Sequence, residues 1–428
     1  MIDLLAFPLL LAAVPRAPVY STDVAPILLQ NCAGCHHAGE VAPFPLTTYE
    51  DAKKRAKLIA EVTRTRYMPP WQPSGPPHHY AGERRLSDVQ IATLAKWAEV
   101  GAPEGNPAKT PPVPAYSDGW KLGPPDLTVA LPKPFTIPAE GGDVYECFTV
   151  PMNLAKTRYL RAFEFRPSNR KAVHHAILFT DHSRVKLDAS YPCFGTIGTL
   201  PSAGLGGWSP GNGPTRMYED AEITVEQGSR LIAQVHYHPS GKEEQDQWQV
   251  GLYFTDKAPS KHVADVGLSS KLIDIPAGEA HYVVRDHFVL PIAVYAVGVI
   301  PHAHYVCRGM HGWATLPDGR KIDLLTIKDW NFSWQDQYRY SKPILLPEDT
   351  RVEMEFVYDN SDANPRNPHR PAQRVTWGAG VEDEMAGLHI QAIPVHMEEL
   401  SELGKALWGK VMRSVGGSFY RLPATPPQ

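Results

Sequence analysis

The sequence predicts a multidomain chain: a small all-α domain, then two all-β domains of the jelly-roll or β-sandwich kind, and a C-terminal helix. Three observations predict it. Apolar residues at helical spacing occur near the front and again at 396–413, but are scarce in between. Proline (42) and glycine (33) punctuate the 428 residues, and both favour turns over helix interiors. Runs of strand length recur from residue 126 onward, separated by those turn residues. The length allows two to four domains with real cores.

Residues 4–13 form a short apolar run. It reads either as a signal remnant over 1–18 or as a plain terminus, because Asp3 stands where a signal has a basic start. The run is too short to span a bilayer, and no other stretch is expected to cross one. Residues 19–30 predict a short helix and 48–65 a second. Between 86 and 101, Ser87 and Gln90 form a capping box, with Leu86 and Ile91 as its hydrophobic staple. That helix continues through Leu94 and Trp97 to stop near Gly101. Residues 104–125 have the Pro, Gly, Ala and Lys content of a linker.

Strands are expected at 126–131, 144–150, 158–165, 172–180, 230–237 and 248–254, forming a domain over 126–260. A second series at 263–266, 281–290, 292–300, 303–307, 321–326, 350–357 and 387–394 gives a domain over 261–395. The glycine-rich run at 204–214 lacks the strand and helix of a phosphate cradle, so it reads as a turn-rich connection. In the last segment, 396–428, Met397, Leu400, Leu403, Leu407, Trp408 and Val411 fall at helical spacing. They predict an amphipathic helix packed on the sandwich rather than a membrane anchor.

Lys and Arg number 42 against 46 Asp and Glu, a net charge of -4 with no basic block, so nucleic acid is not expected as a partner. Of five cysteines, Cys32 and Cys35 lie close together, Cys147 and Cys193 are left as a candidate disulfide, and Cys307 is over. A structural disulfide agrees with a periplasmic or secreted setting.

Cys32-Ala33-Gly34-Cys35-His36 is the haem c attachment signature, in which two thiols take the vinyl groups and the adjacent His is held under the iron. A redox CxxC pair or half a zinc site are the alternatives. Met68 stands before Pro69 and Pro70 in a stretch that cannot join a helix, which makes it the candidate for the second axial ligand. A packed loop methionine is the plainer possibility. With the three helices, these motifs make residues 19–103 resemble a class I cytochrome c domain.

Further along stands Ile300-Pro301-His302-Ala303-His304. On a strand, side chains two apart share a face, so His302 and His304 would supply two of three ligands to one metal. His174 and His175 are adjacent, so joint ligation needs a bulge or a strand end; a buried structural pair is the alternative. His236, in His236-Tyr237-His238-Pro239, completes a three-histidine set, and His238 either binds or faces solvent. Met385 follows Glu384 and would by default be core packing.

Taken in order, HH, VHYHP, HAH and DEM over residues 126–395 resemble the copper type II, ascorbate-dependent monooxygenases, the family of dopamine β-monooxygenase and the peptidylglycine hydroxylating enzyme. The resemblance implies an electron-transfer copper on His174, His175 and His236. It implies a second, catalytic copper on His302, His304 and Met385 that meets O2. It also implies a disulfide between Cys147 and Cys193. Gln234 is a candidate for holding a ligand or a water near His236, or is simply a polar strand residue. The chain departs from the peptide-amidating members at Ile300, where they place the arginine that holds a substrate carboxylate, and at Gly387 and His389, where they have asparagine and tyrosine. A substrate with a terminal carboxylate is therefore not expected. Ala386 replaces a cysteine, so the family's second-domain disulfide there is not expected, and Cys307 would be a buried thiol; Met310 and His311 are minor competitors as ligands.

The expected function is copper-dependent hydroxylation of a C–H bond in a small organic substrate with O2. Electrons would come through the fused c-type haem from an external donor, ascorbate or a redox protein. The alternative is a periplasmic electron-transfer or copper-binding protein without hydroxylase turnover. A third reading is a haem-linked dehydrogenase or a hydrolase whose histidines hold zinc.

Overall fold

The computed structural model describes residues 16–76, 79–116, 119–193, 197–378 and 380–419, with side chains through Arg413. The signal-like run at 4–13 and the tail beyond 419 lie outside the described residues. The chain divides into two compact units. One comprises the described chain up to Trp71 together with Arg84–Tyr116; the other comprises Gln72–Glu83 and the described chain from Gly119 onward.

The first unit is helical. A π-type turn at Tyr20–Val24 runs into α1 (Ala25–Asn31), with proline in its first turn where no N–H is required. The single helix expected over 48–65 is two, α2 (Tyr49–Lys54) and α3 (Ala56–Arg64). Arg55 breaks the run by leaving the helical region (φ -120°, ψ 13°), and its guanidinium lies 4.1 Å over the Phe44 ring. α4 (Asp88–Glu99) starts on a complete capping box: Ser87 accepts from Gln90 N and Gln90 accepts from Ser87 N. Such a cap is worth about 1 kcal/mol. Helical spacing then buries Leu94 and Trp97 against Tyr20, Leu28 and Ile59.

The second unit is mostly β. Its first part stacks two antiparallel sheets. One runs Leu127–Ala130, Gln249–Thr255, Arg158–Arg166, Thr215–Arg216, with Ile223–Val225 also on Arg158–Arg166. The other runs Ser190–Pro192, Val144–Pro151, Arg230–Tyr237, Val173–Asp181, Ala203–Trp208. Between them lies a core that includes Phe148, Phe163, Tyr237 and Trp248. The run at 203–208, read from sequence as a connection, is thus an edge strand; its small residues suit close pairing with Val173–Asp181, which the turn-residue content concealed.

The second part has two four-stranded sheets: Ala264–Ser269, Gly387–Pro394, Val294–His302, Tyr338–Leu346, and Tyr282–Val289, Arg351–Tyr358, Cys307–Thr315, Lys321–Ile327. Arg351–Tyr358 shows why these are strands, since every second residue is buried. Tyr338–Leu346 escaped sequence reading because Pro343 interrupts it, and it lies at the sheet edge, where a missing N–H is tolerated. The strand expected at 303–307 is a turn at 303–306, and the strand begins at Cys307. The excursion Gln72–Glu83 covers one edge of each sheet: Ser74 N donates to Thr326 O (2.7 Å), and Ala81 N to Arg339 O (2.8 Å).

The two sandwiches meet through Tyr218, whose hydroxyl donates to Val297 O (3.1 Å) and Gln391 Oε1 (2.8 Å). A Cβ at Gly298 would lie 2.5 Å from that hydroxyl, so the approach requires glycine. α5 (Leu400–Phe419) buries Leu403 but leaves Trp408, Val411 and Met412 exposed, so the expected packed face is only partly used. Lys410 pairs with Asp286, which anchors the helix by charge rather than by its apolar stripe. Among the described residues no helix is long and apolar enough to cross a membrane. Cys147 and Cys193 form a disulfide, and Cys307 is a buried free thiol.

Asp181 is buried under Arg230, which donates from Nε (2.8 Å) and an Nη (2.6 Å). Burial opposes ionisation, but the Ser183 and Arg230 hydrogen bonds outweigh it and hold the carboxyl below its usual value. A depressed acid contributes stability above its unfolded pKa and loses it as pH falls through the lower, folded value. Thermal melts are therefore expected to drop below pH ~4, and Asp181→Asn should flatten that acid limb.

Candidate metal centres

The strand Val173–Asp181 carries a bulge where its metal-binding potential lies. His236 pairs with His175 and Tyr237 with Val173, so His174 is the extra residue. A bulge abolishes strict alternation, and two adjacent imidazoles can then face one point. His174 Nδ1 lies 3.2 Å from His175 Nδ1, which lies 3.4 Å from His236 Nδ1. One ring nitrogen from each lies within 4.8 Å of the others. Nitrogen ligands about 2.0 Å from a tetrahedral metal sit roughly 3.3 Å apart. The spacing therefore matches the edges of a coordination polyhedron.

Surrounding groups fix the trio. Tyr145, opposite His236 in the neighbouring strand, stacks on its ring at 4.2 Å and 13°. Asp143 reaches His236 Nε2 (2.8 Å) and His238 Nδ1 (2.7 Å); the first contact is close but not in line with the N–H. Burial works against the Asp143 charge, yet the two histidines bring its carboxyl down to about 2. A carboxylate behind a ligand imidazole orients it and raises its basicity. Burial lowers His174 to about 4 and holds His175 well below the usual imidazole value, so both stay neutral donors at neutral pH. His238 faces solvent rather than the trio. Gln234 donates to Cys193 O (2.7 Å) and so holds the disulfide segment, whereas Asp143 supports His236.

The second histidine pair is arranged differently from the strand expectation. His302 ends its strand, and His304 lies in the turn beyond it. Their rings are 5.2 Å apart at 85°. His302 Nδ1 donates to Gln335 Oε1 (2.6 Å) and His304 Nδ1 to Asp383 O (3.0 Å), which leaves each Nε2 as the lone-pair nitrogen. Burial lowers both pKa values, His304 to about 4. His302 pairs with Gly387, two residues past Met385, so the sheet brings the methionine's backbone to this end.

Glu384 joins the two segments, a role that sequence reading missed. It is fully buried, and its oxygens accept from His304 N (2.8 Å), Val306 N (2.8 Å), Cys307 N (3.1 Å) and Met385 N (3.0 Å). Burial pushes its carboxyl up to about 8 against the pull of these four donors. Met310 is buried in its strand, and His311 pairs with Asp323 (3.0 Å).

In the helical unit, Cys32 and Cys35 form no disulfide and lie on a tight turn, with Cys35 N and His36 N both donating to Cys32 O (3.1 and 2.9 Å). Burial raises the Cys32 thiol to about 12, which is unlike a redox-active CxxC pair. His36 Nδ1 donates to Phe44 O (3.0 Å), freeing Nε2 for a metal. Met68 is half-buried just past α3, its N–H donating to Val62 O (3.0 Å).

No family model and no curated protein matches the chain. Among solved structures, the major capsid protein P2 of bacteriophage PM2 is similar at 9% identity over 59% of this chain and 98% of its own, TM-score 0.26. The subviral-particle protein VP2 of infectious bursal disease virus is similar at 9% identity over 69% and 76%, TM-score 0.20. Likeness at that level carries nothing on function.

Proposed function

We propose that the second unit is a two-copper monooxygenase hydroxylating a C–H bond of a small organic substrate with O2. We propose further that the helical unit is a class I cytochrome c domain that passes it electrons. The carrying observation is the trio of Nδ1 atoms at 3.2 and 3.4 Å, a spacing suited to a metal and built by a bulge at His174.

Copper on such ligands supplies one-electron redox chemistry and O2 activation, and covalent haem c supplies a one-electron carrier. His174, His175 and His236 would hold one copper through Nδ1, with Asp143 keeping His236 oriented. His302 and His304 would offer Nε2 to the other, with the Met385 thioether as a soft third donor that favours Cu(I). Three protein ligands leave a position open. Cys32 and Cys35 would bind the haem covalently, with His36 and Met68 as axial ligands. Ile300 and Gly387 offer no cation to the substrate side, which supports a substrate without a terminal carboxylate. The Cys147–Cys193 disulfide supports a periplasmic or secreted setting. Ascorbate or a redox protein would be the external donor.

The test is metal and haem content of the matured protein, with O2 uptake driven by ascorbate over a panel of small organic substrates. Two coppers, one haem and substrate-dependent uptake are expected. Copper without such uptake favours the electron-transfer or copper-binding alternative. Zinc on the histidine trio overturns the assignment.

A further inference from the structure

Phe332 is 5% exposed and sits among residues of both histidine clusters. Its ring is 6.1 Å from the His174 ring at 22° and 5.6 Å from the His304 ring at 78°. Those two rings are therefore no further apart than the sum of these distances, with a phenyl group in contact with both. Tyr305, next to His304, packs on the same ring at 4.7 Å.

The segment carrying Phe332 is held from several directions. Trp330 Nε1 donates to His304 O (3.2 Å), and Gln335 accepts from His302. From the first sandwich, Ser209 Oγ donates to Gln335 O (3.3 Å). The tightest grip comes from Gln72, in the excursion that covers the sheet edges. Its amide accepts from Asn331 N (2.5 Å) and donates to Trp334 O (2.6 Å), bracketing Phe332 on both sides in sequence.

We propose that Phe332 is the spacer that fixes the separation of the two metal sites, and that Gln72 is the residue that holds it in place. The inference rests on both clusters binding metal, as proposed above. Packed interiors hold distances because a ring cannot be compressed, whereas a water-filled gap between two sandwiches can open and close. Phe332 and Gln72 are positioning residues: neither supplies a ligand.

The test loads the full-length holoprotein with Cu(II) and reads the Cu(II)–Cu(II) dipolar coupling by EPR in the wild type, Phe332→Ala, Phe332→Leu and Gln72→Ala. One narrow separation is expected in the wild type. Phe332→Ala should broaden it or shift it by up to one ring thickness, ~3.5 Å, and Phe332→Leu should do so less. Gln72→Ala should broaden it with Phe332 intact, which keeps the test open should the alanine variant at 332 fail to fold. The g and hyperfine values of each copper should stay as in the wild type, because no ligand changes. Two Cu(II) ions at a separation indifferent to both positions overturn the spacer alone. A wild type that takes up a single Cu(II) overturns the two-metal reading and the spacer with it.

Discussion

On the two-copper reading proposed above, replacing His236 with alanine is expected to take one copper from the protein and leave the other. The substitution removes one of three nitrogens whose spacing the bulge at His174 sets. Loss of an orienting partner behind a metal ligand costs about 10–100-fold in affinity. Loss of the ligand itself should exceed that range, while Asp143→Asn, which keeps the imidazole but weakens its support, should fall within it. Chelator-competition titration measures both. The visible spectrum of the proposed haem should be unchanged in each variant, because Cys32, Cys35 and His36 lie in the other unit. Equal loss of both coppers would mean that His236 acts on the fold rather than on one site.

Replacing Glu384 with alanine should be the most destabilising single change in the second sandwich. Four backbone N–H groups, on His304, Val306, Cys307 and Met385, would be left in a buried space with no acceptor. Each unsatisfied group costs about 1–3 kcal/mol, so the loss should exceed about 4 kcal/mol. Glu384→Gln keeps one acceptor oxygen but turns an NH2 toward N–H donors, and should fall between. Denaturant melts give the stability. Copper analysis of the folded fraction should show the His302–His304 site emptied before the His174 trio, since Glu384 ties the turn bearing His304 to the segment bearing Met385. A melt within about 1 kcal/mol of wild type, the worth of an ordinary hydrogen bond, would contradict this role.

Both predictions turn on residues of unequal legibility. The three imidazoles stand out in sequence because local motifs group them. The need for a bulge at His174 and His175 is also legible, because neighbours on a regular strand face opposite ways. Asp143, Gln335, Phe332 and Glu384 are not legible. Each is an ordinary residue until the fold brings a distant partner to it, 80 positions away for Glu384 and His304. Gln234 shows the opposite case: it stands two residues from His236 in sequence, and its amide donates to Cys193 O in the segment disulfide-bonded to the adjacent strand. His304 shows a third, since the pattern of a strand continued on paper where four buried N–H groups gather on one carboxylate and bend the chain.

By itself, the sequence determined what depends on near neighbours. It set the capping box at Ser87, the CxxCH turn, the alternation that makes strands, and the list of donors. Only the tertiary structure decided which donors meet, because antiparallel pairing and the contact of two sandwiches bring together residues that no local periodicity relates. It also decided that the chain from Gln72 to Glu83 belongs with the β-rich unit, where backbone hydrogen bonds to two open sheet edges outweigh its place in the sequence between helices.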